Sequence, residues 1–168
     1  MQVVFYISAA IAIVATVLML TRLNAVHALL YLVVSLLAVA VVFYVLGAAL
    51  AAALEVIIYA GAIMVLFVFV VMLLNLGEKA VEAEKRLVSP AMWAGPSTLA
   101  TILIVEFVYI LSQRSRGDFP AAVDPKQVGA TLYAPYLIGV ELASMLLLAG
   151  LVAAYHLGWR QVQGGGDG

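Results

Sequence analysis

Apolar residues along this chain occur in long unbroken runs, and the few polar residues cluster between them. Five runs are long enough to cross a bilayer, since about 20 helical residues span its hydrocarbon core. We predict transmembrane helices at about residues 3–20, 26–46, 54–76, 90–111 and 135–157. The sequence therefore predicts an all-α integral membrane protein, with one transmembrane domain over residues 1–163 and a disordered tail over 164–168.

The connections between the runs predict different structures. Residues 47–53 carry no charge and begin with a glycine, which predicts a tight hairpin turn near the membrane surface. Residues 77–88 carry charges of both signs, and the spacing of Glu82 and Arg86 predicts a short surface helix. Residues 112–131 contain two prolines and two glycines and are predicted to be irregular.

Composition supports the membrane class and excludes several others. The chain is 67% hydrophobic and 10% charged, whereas soluble domains carry about 25% charged residues. A formal net charge of −1 argues against a nucleic-acid partner, which would require a basic surface. The chain has no cysteine, which excludes disulfides and cysteine-ligated zinc or iron–sulfur centres.

Basic residues predict the orientation in the membrane. With five spans, the first and third polar connections and the C-terminal segment share one side and carry five basic residues, namely Arg22, Lys79, Lys85, Arg86 and Arg160. The other side carries three, namely Arg114, Arg116 and Lys126. Because cytoplasmic loops are enriched in Lys and Arg, this difference predicts a periplasmic N-terminus and a cytoplasmic C-terminus.

The third run contains the strongest functional candidates. Glu55 lies inside an apolar helix, where a carboxylate costs about 2.5–3.5 kcal/mol. Tyr59 follows it by one helical turn, and Gly61 provides a position without side-chain bulk. Glu55 is interpreted either as an interfacial residue that binds headgroups or as a proton-relay carboxylate, with Tyr59 as its hydrogen-bond donor. Gly61 is either a close-packing point or a hinge.

Two further carboxylates lie within predicted spans. Glu106 lies well inside the fourth run, and it is either a relay residue, a partner of another subunit or a buried neutral acid. Glu141 lies near the start of the fifth run, where an interfacial role is slightly favoured. A pair of intramembrane histidines can ligate haem, but His27 and His156 lie at helix ends, which favours interfacial placement.

Three segments carry a resemblance to a known family. They are LEVIIYAGAIMVLFVFVVMLLNLG (54–77), NAVHALLYLVVSLL (24–37) and GVELASMLLLAGLVAAYH (139–156). Together they resemble the chain J family of bacterial NADH:quinone oxidoreductase, respiratory complex I, and the similarity covers about five-sixths of the chain. Ala25 stands where many members have proline, and Glu106 does not belong to the family pattern.

The resemblance implies a membrane subunit that binds no redox cofactor or metal and has no catalytic residue of its own. FMN, iron–sulfur clusters, NADH and quinone would be bound by other subunits of a proton-translocating enzyme. The implied partners are chains A, H and K, the antiporter-like chain N and the lipid of the bacterial inner membrane.

The resemblance also implies a π-bulge in the third helix, and its conversion to regular α-helix would gate a hydrated proton path. The implied gating residues are Tyr59, Ala60, Gly61, Ala62, Ile63, Met64 and Val65. Glu55 and Tyr59 would line the path, and Glu106 and Glu141 are secondary candidates. Two alternatives remain open, namely a homologous module of a multi-subunit cation/proton antiporter and a purely structural scaffold.

Overall fold

The structure is a computed structural model that describes residues 1–74, 90–114 and 123–163. These residues form helices joined by short turns, with no strand among them. The helices are α1 (Gln2–Thr21), α2 (Ala25–Val45), α3 (Ala49–Leu54), the π-helix π1 (Glu55–Ile63), α4 (Met64–Leu74), α5 (Pro90–Arg114), α6 (Pro125–Tyr133) and α7 (Leu137–Gln163).

Within the described residues, five helices are long and apolar enough to cross a membrane. They are Gln2–Thr21, Ala25–Val45, Ala49–Leu73, Trp93–Gln113 and Leu137–Gly158. Helices α3, π1 and α4 run without interruption and together supply the third of them. The predicted all-α membrane fold, with a π-helical piece in its third span, is confirmed.

The third span begins at Ala49, five residues before its predicted start. The added segment has the sequence ALAAAL, and alanine and leucine have the highest helix propensities, so the helix extends back toward the turn. The surface helix predicted for residues 77–88 and the tail 164–168 lie outside the described residues, as does the middle of the 112–131 connection.

The end of that last connection is helical, so the prediction that it is irregular throughout was wrong. Asp124 caps α6, its side chain accepting a hydrogen bond from the Lys126 amide at 3.0 Å. Pro125 occupies the first helical position, where the missing N–H costs no hydrogen bond. The proline that suggested a break therefore starts a helix.

A glycine closes α2 and turns the chain into the third span. Gly47 has φ 84°, a left-handed conformation that disfavours residues with a Cβ. The Gly47 amide donates to the Tyr44 carbonyl at 3.0 Å, and the Ala48 amide donates to the Phe43 carbonyl at 2.9 Å. These two bonds form a Schellman motif, which satisfies carbonyls at the end of α2.

Helices α1, α2 and α5 pack together and bury the core of residues 1–123. One apolar cluster consists of Ile11, Ala15, Val34, Ala38 and Leu103, and a second consists of Val4, Val45 and Ile110. Small residues at the first cluster let the helices approach closely, as is typical of packing between membrane helices. Thr16 and Ser35 link α1 to α2 through hydroxyls 2.8 Å apart.

Residues from Asp124 onward form a second compact unit, which contains α6 and α7. The apolar window of α7 has no buried residue within the chain, and leucines at 146, 147 and 151 are more than two-thirds exposed. A helix that is hydrophobic all round suits contact with lipid or other subunits.

Candidate functional site

The π-helix π1 begins at Glu55 and lies within the third membrane span. The change of hydrogen-bond register is visible at its end, where the Met64 amide donates to the carbonyls of Gly61 and Tyr59, three and five residues earlier. An α-helix would join each amide to the carbonyl four residues earlier. The turn in π1 is therefore wider by one residue, a feature that is rare and often found at functional sites.

The predicted bulge at Tyr59–Val65 and the observed π1 overlap but have different bounds. The observed segment starts four residues earlier, at Glu55, and ends at Ile63. Met64 follows as the first residue of α4 and is 2% exposed, because it faces the protein interior. Val65 is 66% exposed. Glu55 thus belongs to the π-helix itself.

Gly61 is the central residue of the span Ala49–Leu73. A Cβ placed on it would lie 3.2 Å from the Val56 carbonyl oxygen, tighter than an ordinary van der Waals contact. That carbonyl belongs to the residue five positions earlier, the one a π-type register brings closest. A glycine at this position therefore suits the π geometry.

Glu55 and Tyr59 lie on a part of π1 that the described residues of 1–123 leave at least partly uncovered. The Tyr59 side chain is 50% exposed and Glu55 is partly exposed. No hydrogen bond joins the two side chains within the described residues. The predicted pair is therefore close in the chain but is not a bonded pair here.

An apolar cavity of about 530 Å³ separates π1 from α5. Residues of α2, α3, π1 and α5 line it, among them Val41, Tyr44, Ala52, Val56, Ile104 and Phe107. Val56 follows Glu55 and Phe107 follows Glu106, so each acid is next in sequence to a residue that lines this cavity. Its lining offers few polar groups to hold water.

Glu106 lies in the interior, on the face of α5 that packs against α1. Its side chain is 6% exposed, and its Oε2 accepts a hydrogen bond from the Ser8 hydroxyl at 2.7 Å. Ser8 is fully buried. Glu106 was predicted as a candidate from the sequence and Ser8 was not, because one sequence does not give the relative heights of α1 and α5.

The remaining candidates lie on other helices. Glu141 is exposed on α7, and its backbone carbonyl accepts a hydrogen bond from the Ser144 hydroxyl. His156 is also exposed on α7. The His27 ring lies 5.0 Å from the ring of Tyr31, over which the Arg22 guanidinium lies at 5.4 Å.

Long apolar helices, an all-helical described structure and a π-helix inside a span define this chain as a multi-pass α-helical membrane protein. It belongs to the NADH-ubiquinone/plastoquinone oxidoreductase chain 6 family, whose model matches residues 1–157. The resemblance found in the sequence is thereby confirmed.

Proteins similar to this chain carry one name, NADH-quinone oxidoreductase subunit J. The protein from Pseudomonas aeruginosa is 56% identical over 160 residues, covering 94% of this chain and 96% of the relative. The Escherichia coli K12 protein is 53% identical, covering 94% and 86%. A Buchnera aphidicola protein is 47% identical, covering 94% and 98%.

Proposed function

We propose that this chain is a membrane subunit of a proton-pumping NADH:quinone oxidoreductase of the bacterial inner membrane. In this role it couples quinone reduction, performed on other subunits, to proton translocation. The observation that carries the proposal is π1, a widened helix that starts at an intramembrane carboxylate and contains a glycine at the centre of the span.

The proposed coupling step is conversion of π1 to regular α-helix. Removing one residue from the widened turn rotates the helix beyond it by about 100°, which changes the side chains that face a given neighbour. Gly61 lowers the cost of the π form, because it places no Cβ against the Val56 carbonyl. In this proposal residues Tyr59 to Val65 move, and Glu55 supplies the proton-accepting group.

Partner subunits are proposed to cover the exposed side of π1. An uncovered carboxylate in hydrocarbon costs about 2.5–3.5 kcal/mol, so Glu55 requires polar neighbours in the assembled enzyme. The half-exposed Tyr59 hydroxyl lies on the same span and is available to those neighbours. The proposed partners are chains A, H and K and the antiporter-like chain N, with N- and C-termini at the periplasmic and cytoplasmic sides.

Redox chemistry is assigned to other subunits, where FMN, iron–sulfur clusters, NADH and quinone would bind. Within the residues that the structure describes, no three His, Cys, Asp or Glu side chains lie close enough to hold a metal ion. The proposed contribution of this chain is the control of proton movement inside the bilayer.

The test of this proposal is Glu55→Gln in the assembled complex, with proton uptake and quinone reductase activity measured in inverted membrane vesicles. We expect coupled turnover to fall several-fold, while NADH oxidation by an artificial acceptor stays at the wild-type rate. Tyr59→Phe removes only a hydroxyl and is expected to have a smaller effect in the same direction. Tyr133→Phe, on the exposed surface of α6, is the matched control.

Co-purification with the tagged chain distinguishes the alternatives. Flavin and iron–sulfur subunits in the purified complex support the oxidoreductase, whereas antiporter subunits without them indicate a cation/proton antiporter module. Wild-type turnover of assembled Glu55→Gln across the pH range would contradict a proton-accepting Glu55. Loss of assembly alone, with normal turnover of what assembles, would indicate a scaffold.

A further inference from the structure

Glu106 is an intramembrane acid outside π1 that the helices of this chain enclose. Its side chain is 6% exposed, and within the described residues only the Ser8 hydroxyl bonds to it. Its second oxygen, Oε1, is buried and has no hydrogen-bond partner among these residues. An ionised carboxylate with a single hydrogen bond is much costlier to bury than a neutral carboxyl group.

The surroundings of Glu106 are apolar in both directions along the bundle. Toward one end lies the cluster of Val4, Val45 and Ile110, with Ile110 1% exposed. Toward the other end lie Ile11 and Leu103, which belong to the larger cluster. Glu106 and Ser8 therefore form a polar layer between two apolar layers.

Few ionisable groups lie on the helices packed around this layer. They are Met1 (by its amine), Tyr6, Arg22, His27, Tyr31, Tyr44, Tyr109 and Arg114, the last residue of α5. Tyr6 and Tyr109 are largely exposed, and Arg22, His27 and Tyr31 gather at the far end of α1 and α2. Tyr44 and Met1 pack against the Val4 cluster. Within the described residues no basic group forms an ion pair with Glu106.

A polar opening lies beyond the Val4 cluster. A crevice of about 500 Å³ is lined by Met1, Gln2, Val3 and Gln113. Gln113 lies two turns after Glu106 on the same face of α5, and its Oε1 is buried without a hydrogen-bond partner in the described residues. One apolar layer, Val4 with Ile110, thus lies between this crevice and the carboxyl group.

We propose that Glu106 and Ser8 form an intramembrane proton-binding site that exchanges with the crevice at Gln113 when the Val4–Ile110 layer opens. The carboxylate takes one proton from water at Oε1, and the neutral acid returns it to water by the same route. Ser8 donates its hydroxyl hydrogen to Oε2 in both states. The site is independent of π1, so the failure of the Glu55 experiment would not affect it.

Infrared difference spectroscopy of the purified assembled complex tests the site. The wild-type minus Glu106→Gln spectrum at neutral pH is expected to show the C=O band of a protonated carboxyl group, and the band is expected to shift in D₂O. Ser8→Ala is expected to move this band to higher frequency, because the carbonyl oxygen loses its donor. Ser35→Ala removes another buried serine hydroxyl from the same bundle and is expected to leave the band in place.

The exchange route has its own measurement. Ile110→Ala is expected to increase the rate of the D₂O shift several-fold, whereas Leu103→Ala, in the layer on the other side, is expected to leave it near the wild-type rate. Carboxylate bands alone at neutral pH would overturn the proposed site, and an unmoved band in Ser8→Ala would remove Ser8 from it. If Leu103→Ala alone accelerates exchange, the proposed route through the crevice is wrong. Should Glu106→Gln not assemble, the Ser8→Ala minus wild-type spectrum still reports the band.

Discussion

Gly61→Ala is the smallest change that tests whether π1 must convert between two helical forms. The added Cβ would lie 3.2 Å from the Val56 carbonyl oxygen, a few tenths of an ångström inside ordinary contact. In an α-helix the Val56 carbonyl would bond to the amide of Ala60, and this contact would not arise. The substitution therefore penalises the π form selectively.

The size of the penalty follows from overpacking. Adding a methyl group to a closely packed site costs about 1–3 kcal/mol, and the backbone contact here is at the mild end, at about 1 kcal/mol. The helix propensity that alanine gains over glycine applies to both forms and cancels between them. A shift of about 1 kcal/mol changes the ratio of π to α by about fivefold toward α.

Proton uptake per NADH oxidised in inverted vesicles is the assay for Gly61→Ala. If the cycle requires both forms, a fivefold bias is expected to reduce coupled turnover about two- to fivefold, while artificial-acceptor activity is unchanged. Gly150→Ala is the matched control, because a Cβ at Gly150 meets no atom within 4 Å in the described residues. Gly61→Val, which is branched at Cβ, is expected to have the larger effect.

Two results together would refute the proposed role of π1 conversion in coupling. Electron cryomicroscopy of assembled Gly61→Ala would show the α form at increased occupancy, and proton pumping would stay at the wild-type level. The shifted equilibrium would then have no bearing on coupling. If π1 is instead unshifted and pumping is normal, the Val56 contact relaxes without cost, and the free-energy penalty worked out above does not apply.

Two predictions concern the fold. Gly95→Ala is expected to destabilise the bundle by about 1–3 kcal/mol, because a Cβ there would overlap the Tyr31 hydroxyl. The measurement is the thermal stability of the assembled complex, which is expected to be lower than that of Gly150→Ala. Gly47→Ala places a Cβ in a left-handed conformation, at a cost of about 1–2 kcal/mol, and is expected to lower the amount of chain in the membrane on immunoblots. Gly47→Asn is expected to recover part of that loss, since asparagine tolerates this conformation.

Much of the fold could be predicted from the sequence because bilayer thickness sets the length of an apolar helix. The turn at Gly47 was equally predictable, since glycine commonly ends helices. The inward faces could not be predicted, because runs that are apolar all round give no preferred face. Val4, Ser8, Ile11 and Ala15 are the buried face of α1, yet in the sequence they differ little from their neighbours.

The functional region was predictable only in part, for a similar reason. The glycine within an apolar span indicated where the helix could change, and the resemblance implied a π-bulge there. The start of π1 at Glu55 depends on which carbonyl each backbone amide donates to, and helix propensities do not determine that pairing. The hydrogen bond between Ser8 and Glu106 joins residues 98 positions apart in the sequence. It depends on the relative heights of α1 and α5.

Glu55 and Glu106 both lie within membrane spans, but their surroundings suit them to different tasks. Glu55 lies on the partly exposed side of a helix with an unusual register, so its neighbours in the assembly and the state of π1 determine whether water reaches it. Glu106 is enclosed by its own chain, with one donor and an apolar layer on each side. The apolar cavity between them gives water few hydrogen-bond partners, so a proton held at Glu106 has no evident route to Glu55. The two sites are therefore expected to respond to separate substitutions, with Gly61→Ala affecting the first and Ser8→Ala the second.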